Sequence, residues 1–272
     1  MAEIIECDRL PERDKWYKVV ENKDFLVIAK GSGLPSAPLA GGGFSVFEAV
    51  ASVFPDVISV SGKKAGEGGL IHRIDNETCG LLLIARNDAF FNHIEKCREA
   101  GNFVKEYTAY SLSDDGRLPS ERVITSRFRP FGKKGAAVKP VFDDDRSSTA
   151  DKKKAGARFY TTEIVESAVV GTEACDKSRQ NGKKLIRIVC RINEGFRHQV
   201  RAHLAYSGFP VLGDSLYNAD NNRLQPTSPS EMLFFASGLS FTNMDGTPFQ
   251  VRIPYSLLDK KALSVCFTSL TR

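Results

Sequence analysis

Apolar residues in this chain fall into short runs divided by polar, glycine-rich and proline-rich breaks. Asp24-Phe25-Leu26-Val27-Ile28-Ala29 reads as a strand, and Gly31-Ser32-Gly33 closes it with a turn. Pro35, Pro38 and Gly41-Gly42-Gly43 keep the chain irregular until Phe44. From Phe44 to Phe54 the spacing of Phe47, Val50, Ala51 and Phe54 predicts a helix, stopped by Pro55. A glycine-rich stretch from Gly62 to Gly69 leads into Leu70-Ile71-His72-Arg73-Ile74-Asp75, and Gly80 precedes Leu81-Leu82-Leu83-Ile84-Ala85. Both apolar runs are expected to be buried strands, with a polar cluster between them.

Ala89 to Ala100 reads as an amphipathic helix with Phe90, Phe91, Ile94 and Cys97 on its inner side. Val104 to Leu112 and Leu185 to Ile192 read as strands, Arg197 to Ser207 as a helix, and several short strands follow. The segments 143–154 and 173–184 are charged and rich in Ser and Gly, so surface loops are expected there. Many strands with a few helices in irregular alternation predict an α+β fold around a mixed sheet. Residues 1–17 are expected to form an N-terminal extension and 18–272 a single domain.

Composition narrows the class. Over 272 residues, 42% hydrophobic and 26% charged side chains exclude a wholly disordered chain, a collagen or a coiled coil. Lys plus Arg is 38 against 33 acidic residues, a net charge of +5 that permits an acidic partner without demanding one. Cys7, Cys79, Cys97, Cys175, Cys190 and Cys266 form no CxxC, and with four histidines no zinc-finger spacing arises. Scattered thiols suit a reducing compartment. The N-terminus Met1-Ala2-Glu3-Ile4-Ile5-Glu6 is acidic where a signal peptide would be basic and then apolar, and no apolar run approaches the ~20 residues of a membrane span. A cytoplasmic protein with no membrane contact is expected.

Three segments offer chemistry. The strand before Gly31-Ser32-Gly33 imitates the start of a dinucleotide-binding fingerprint, but Pro35 and Pro38 break the helix whose N-terminal amides would hold a pyrophosphate. Asp75, beside Arg73 and between two apolar runs, sits where a strand end projects side chains into a cleft. In Gly195-Phe196-Arg197-His198-Gln199-Val200-Arg201-Ala202-His203, a helix puts Arg197 and Arg201 on one face. His198 and His203 are five apart, not the i, i+4 spacing of a two-histidine metal site. Taken alone, the Asp75 segment fits a solvated loop with an incidental ion pair equally well, and the other a basic surface helix. A further stretch from Ser126 to Lys139 carries Arg127, Arg129, Lys133, Lys134 and Lys139 without an acid, interleaved with Phe128 and Phe131. It fits either a surface that tracks phosphates and stacks bases or a solvated charged loop.

Together these segments are far more specific. Residues 71–85 resemble the H-R-L-D-x-x-T-S-G-L-L-L-x-A motif of the RluA-type pseudouridine synthases. The stretch from Gly195 to Tyr217 resembles that family's G-R-x-H-Q-I-R-x-H-L-A-x-x-G-x-P-I-x-G-D-x-x-Y, and Lys105-Glu106-Tyr107-Thr108-Ala109 its K-x-Y-x-A strand. The start from Asp24 to Gly33 and the closing runs Leu233 to Phe241 and Phe249 to Pro254 are similar as well, so the resemblance spans roughly residues 18 to 256 in order. Four positions depart from it: Gly31 stands for Pro, Cys79 for Ser, Phe196 for Arg, and Phe235 for a common His.

The resemblance implies the pseudouridine synthase fold, a mostly antiparallel mixed sheet with flanking helices and a central cleft, over 18–272 as one catalytic domain. It implies isomerisation of a uridine in structured ribosomal or transfer RNA, a redox-neutral reaction that calls for no cofactor and no metal. Asp75 takes the central role, as nucleophile or as an anion assisting a glycal route. Arg201 is its expected cationic partner, opposing the cost of desolvating the acid. Tyr107 packs against the target base, and Arg73 fills the space the swung-out base leaves. His72, His198 and Gln199 are the further expected substrate contacts. RNA is the expected partner and a monomer the expected form. The alternatives are an N-glycosylase, which would release free uracil, and an RNA-binding protein without catalysis.

Overall fold

The computed structural model describes residues 4–38, 43–64, 66–172, 184–218 and 231–267. In chain order the strands are β1 (Ile4–Glu6), β2 (Trp16–Glu21), β3 (Phe25–Lys30), β4 (Cys79–Ala85), β5 (Val104–Ser113), β6 (Val123–Phe131), β7 (Ala137–Val141), β8 (Tyr160–Thr172), β9 (Lys184–Ile192), β10 (Phe234–Thr242) and β11 (Pro248–Arg252). The α-helices are α1 (Val46–Val53), α2 (Asp88–Glu99), α3 (Thr149–Lys154), α4 (Gln199–Tyr206) and α5 (Tyr255–Phe267). The expected α+β class with a mixed, largely antiparallel sheet is what the chain forms. It divides into two compact units, residues 1–105 with 235–257, and residues 106–234 with 258–272.

In the first unit, β2, β3 and β4 pair antiparallel, β4 meets β10 parallel, and β10 continues antiparallel to β11, which pairs parallel with β1. Thus Ile4–Glu6, inside the expected N-terminal extension, adds a strand to this sheet. Every residue of β3 and β4 is buried, which accounts for their unbroken apolar runs. Against β4 packs α2, and α1 leads into the turn at Pro55–Ser59. Ser45 caps α1 in a reciprocal pair with Glu48, and the Asn87 side chain accepts from the Phe90 amide at the start of α2. Phe25 stacks on Phe90 with ring centroids 4.7 Å apart, while Phe241 and Phe249 meet it edge-on.

Two glycines in this unit have a physical reason. Gly80 has φ +139 on the β4 side facing β10, and a Cβ there would lie 2.3 Å from the Ala236 carbonyl oxygen. Gly31, one of the departures from the family pattern, donates its amide to the Lys15 carbonyl at 2.8 Å, and a Cβ would lie 1.9 Å from the Glu12 oxygen. A proline there would lose that bond. The family's usual residue is therefore excluded here by the backbone of residues 12–15.

In the second unit the strand order is β5-β9-β8-β6-β7, with β9/β8, β8/β6 and β6/β7 antiparallel. Ile124, Ile164, Leu185, Ile186, Ile188 and Val189 are buried within it. The segment 143–154 is not only loop: Ser148 caps a short helix, α3, and Asp151 is buried against β6 and β7 by ion pairs to Arg129 at 2.5 Å and Lys139 at 2.8 Å. Of the loop expected over 173–184, residues 173–183 lie outside the described residues and Lys184 opens β9. Helix α4 is also shorter than expected, because His198 adopts a left-handed backbone (φ 57) immediately before Gln199. Arg197 is thereby outside the helix and does not share a face with Arg201. Among the described residues no helix is long and apolar enough to cross a membrane.

Candidate active site

Asp75 lies on the irregular segment that leads into β4, not on a strand. The segment joins β4 at an isolated bridge, Leu70 to Ile84, flanked by the Ile71 amide donating to Leu83 and the Ala85 amide donating to Gly69. The Thr78 amide then returns to the Asp75 carbonyl at 3.0 Å, closing a turn over Asn76 and Glu77. An isolated turn of this kind would be mobile; here both neighbours of Asp75 are pinned. On one side, the Ser36 hydroxyl donates to the Ile74 carbonyl at 2.7 Å and accepts from the Ile74 amide at 3.1 Å. Ser36 is itself held, because the first amides of α1 donate to Pro35 and Ser36. On the other side, the Asn76 carbonyl accepts from the Gly33 amide at 2.8 Å and from Lys30 Nζ at 3.0 Å.

Lys30 is the least expected member of this arrangement. It ends β3, is wholly buried, and donates also to the carbonyls of Gly31 at 2.9 Å and Leu34 at 2.8 Å. Three donors meet three acceptors, all uncharged. Burial lowers its pKa from 10.5 to about 8, only partly opposed by Cys79, Glu77, Asp75 and Asp14. Its signal in the sequence was a lone lysine ending an unbroken apolar run.

The two residues preceding Ile74 diverge. His72 Nε2 accepts from the Leu83 amide at 3.2 Å, which places the proton of the neutral ring on Nδ1, an atom buried with no hydrogen-bond partner among the described residues. Burial, with Lys105 and Arg98 nearby, holds the His72 pKa well below its usual value. Arg73 points outward, with its side chain 55% exposed and in contact with Glu67 at 3.3 Å. Asp75 itself is half-buried.

The remaining sequence-derived residues lie in the second unit. Tyr107 is buried on β5, its ring stacked on Phe234 at 5.3 Å and 9°. Arg201, on α4, is 5% exposed and grips Asp214, which is fully buried: Nε to Oδ2 is 2.7 Å and Nη2 to Oδ1 2.9 Å. Asp214 Oδ1 also accepts from the Leu216 and Tyr217 amides. Tyr217 in turn accepts from the Val138 amide at 2.8 Å, meets His198 Nδ1 at 3.1 Å, and lies under the Arg201 guanidinium at 5.4 Å. Asp214 and Tyr217 close the long motif of residues 195–217, yet the residues alone assigned them no part.

Gln199 is 2% exposed and its amide is engaged with the Thr161 carbonyl, Thr162 Oγ1 and the Phe196 amide, so it ties the start of α4 to β8. His203, one turn on, bridges Ser126 and Thr162 at 2.8 Å each, and burial lowers its pKa to about 3. It is a neutral core histidine. The departures from the family pattern have local explanations too. Phe196 stacks on Phe128 at 4.9 Å and 5°, while Arg197 reaches the Gly135 and Ala137 carbonyls in the β6–β7 connection. Cys79 and Phe235 are register partners in the β4/β10 pairing, and both are buried. Two less polar side chains thus replace the usual ones at one place.

In the basic stretch, Phe128 is buried, whereas Phe131 is 50% exposed. Arg127 pairs with Asp143, and Arg129 and Lys139 with Asp151, while Lys133 and Lys134 stand exposed at the tip of the connection. Among the described residues no cluster of His, Cys, Asp or Glu has the makings of a metal site.

A family model described as RNA pseudouridylate synthase matches residues 24–206. Ribosomal large subunit pseudouridine synthase D of Yersinia pestis is 24% identical over 209 residues, 73% of this chain and 51% of that protein. The tRNA pseudouridine(31) synthase of Saccharomyces cerevisiae is 26% identical over 230 residues, 79% of this chain and 50% of that protein. The chain therefore spans about half the length of these curated relatives. Among solved structures, human RNA pseudouridylate synthase domain containing 1 superposes with a TM-score of 0.58 at 18% identity, covering 93% of this chain and 95% of that one. Its domain containing 4 counterpart gives 0.56 at 20%, covering 92% of each chain.

Proposed function

Since the chain belongs to the RNA pseudouridylate synthase family, we propose that it isomerises a uridine to pseudouridine in ribosomal or transfer RNA, with Asp75 as the catalytic carboxylate. The observation that carries the assignment is the double pinning of the Asp75 turn, by Ser36 before it and by Lys30 and Gly33 after it. A group that must meet one sugar carbon needs fixed orientation, and a backbone held on both sides supplies it. The reaction breaks the N1–C1′ bond and joins C1′ to C5; C5 gives up a proton and N1 takes one, so atoms and electrons balance within the nucleotide while the C5 hydrogen exchanges with water.

Tyr107 and Arg201 are the other catalytic groups in this reading. Stacking of Tyr107 on Phe234 holds its ring in one plane, as packing against a base requires. Arg73, exposed and only loosely paired, is the side chain that moves into the space of the unstacked base. The buried amide of Gln199 and the His198–Tyr217 contact support positioning of α4. Lys133, Lys134 and Phe131 meet the RNA, since they stand exposed at the tip of the connection while Arg127 is paired with Asp143 and Arg129 and Lys139 share Asp151. A monomer acting on RNA in the cytoplasm is the corresponding form.

Incubating the protein with C5-tritiated RNA tests the assignment. Tritium should pass to water without free uracil, and Asp75→Asn should abolish release while RNA binding persists. Labelled free base would establish an N-glycosylase instead, and unchanged release by Asp75→Asn would remove Asp75 from the chemistry. Mapping pseudouridine in total RNA with and without the gene then identifies the target.

A further inference from the structure

Arg201 enters catalysis, on the reading above, as a cation. The structure adds that it is already one half of a bidentate pair: Asp214 is fully buried and takes both Nε and Nη2. A planar guanidinium gripped along one edge has its plane and its direction set, unlike a side chain with four free torsions. The grip is itself anchored, because Asp214 Oδ1 also accepts the Leu216 and Tyr217 amides and so cannot follow the arginine if it moves. Tyr217 completes the frame, with its ring beneath the guanidinium and its hydroxyl tied to β7 through Val138 and to the start of α4 through His198.

We infer that Asp214 is a positioning residue for the reaction, locking the Arg201 guanidinium in one orientation as part of a neutral, buried pair. The inference rests on the proposed catalytic part of Arg201 and deepens it. Arg201 acts as an oriented N–H donor more than as a net charge, because its charge is already matched. A lysine, which carries the same charge but cannot span both carboxylate oxygens, is then no substitute.

The experiment compares Asp214→Asn, Arg201→Lys, Arg201→Ala and the double variant Arg201→Ala/Asp214→Asn, reading kcat, KM for RNA and Tm. Asp214→Asn should lower kcat about 100-fold, the scale of a displaced catalytic group, with KM within about threefold of wild type. In the Arg201→Ala background it should cause no further loss of kcat, since there is nothing left to orient. Should Asp214→Asn not fold, Arg201→Lys decides: a kcat near that of Arg201→Ala supports the lock, and a kcat near wild type overturns it. A folded Asp214→Asn protein with wild-type kcat also overturns it, provided Arg201→Ala is impaired. If Arg201→Ala itself keeps wild-type kcat, the catalytic reading of Arg201 falls, which is a different result.

Discussion

Replacing Lys30 by Met tests the reasoning about the Asp75 turn most directly. The substitution keeps an unbranched side chain of similar length and removes the ammonium. Three carbonyls, those of Gly31, Leu34 and Asn76, lose that donor. At roughly 1–3 kcal/mol for each buried acceptor left without its partner, the loss is about 3–9 kcal/mol. Part of it is offset because the variant no longer buries a charge. The fall in pKa from 10.5 to about 8 corresponds to about 3 kcal/mol. Net destabilisation should therefore be about 3 kcal/mol, or roughly 6–12 °C in Tm for a chain of this size.

The pH dependence carries a sign that a generic loss of packing would not. The folded pKa of Lys30 lies below its unfolded value, so between about pH 8 and 10.5 the unfolded chain binds more protons. Wild-type stability gains from this group as pH rises through that window, by up to about 1.4 kcal/mol per unit. Urea melts of both proteins at pH 7.0 and 9.5 should show the gap between them widening at the higher pH. Turnover at low temperature should fall by less than about tenfold, because Ser36 and the Gly33 amide still hold both neighbours of Asp75. A gap that stays constant or narrows with pH would refute the role given to the buried ammonium.

Other expectations follow from the same contacts. Gly80→Ala should cost at least about 2 kcal/mol in a chemical melt, since a Cβ at φ +139 would lie 2.3 Å from the Ala236 oxygen. His203 is neutral in the fold with a pKa of about 3 against 6.5 free, so acidification should remove stability between those values by up to about 1.4 kcal/mol per unit. A His203→Gln protein should show a correspondingly flatter acid limb in denaturation. Lys133→Ala with Lys134→Ala should make the logarithmic dependence of RNA affinity on salt shallower by about 1.4–1.8, measured by titration at several salt concentrations. An unchanged slope would take the hairpin tip off the RNA.

Part of this was legible from residue order alone. The apolar runs of β3 and β4 were readable as strands, and they are unbroken because both of their faces are covered, whereas a strand with one wet face must alternate. The helix from Asp88 to Glu99 was readable from the spacing of Phe90, Phe91, Ile94 and Cys97, all of them buried. Asp75 stood out as an acid between two apolar runs, and the motifs around it and around Arg201 pointed to one family. Local spacing failed where a distant contact overruled it. Leu70 to Asp75 resembled a strand but keeps only one bridge, Leu70 to Ile84, and is held at Ile74 by the Ser36 hydroxyl instead of by a ladder. Arg197 was placed on the helix face of Arg201, yet the left-handed His198 puts it outside α4, where it reaches the β6–β7 connection.

Residue order alone settles which groups exist and which short segments can be regular, because side-chain chemistry and periodicity are local properties. Which charges meet which partners is set by the folded chain: Arg201 is gripped by Asp214, Arg129 and Lys139 share Asp151, and the Lys30 ammonium donates to three carbonyls. Pairing depends on distance and burial between residues far apart in the chain, and the strength of an ionic contact changes severalfold with both.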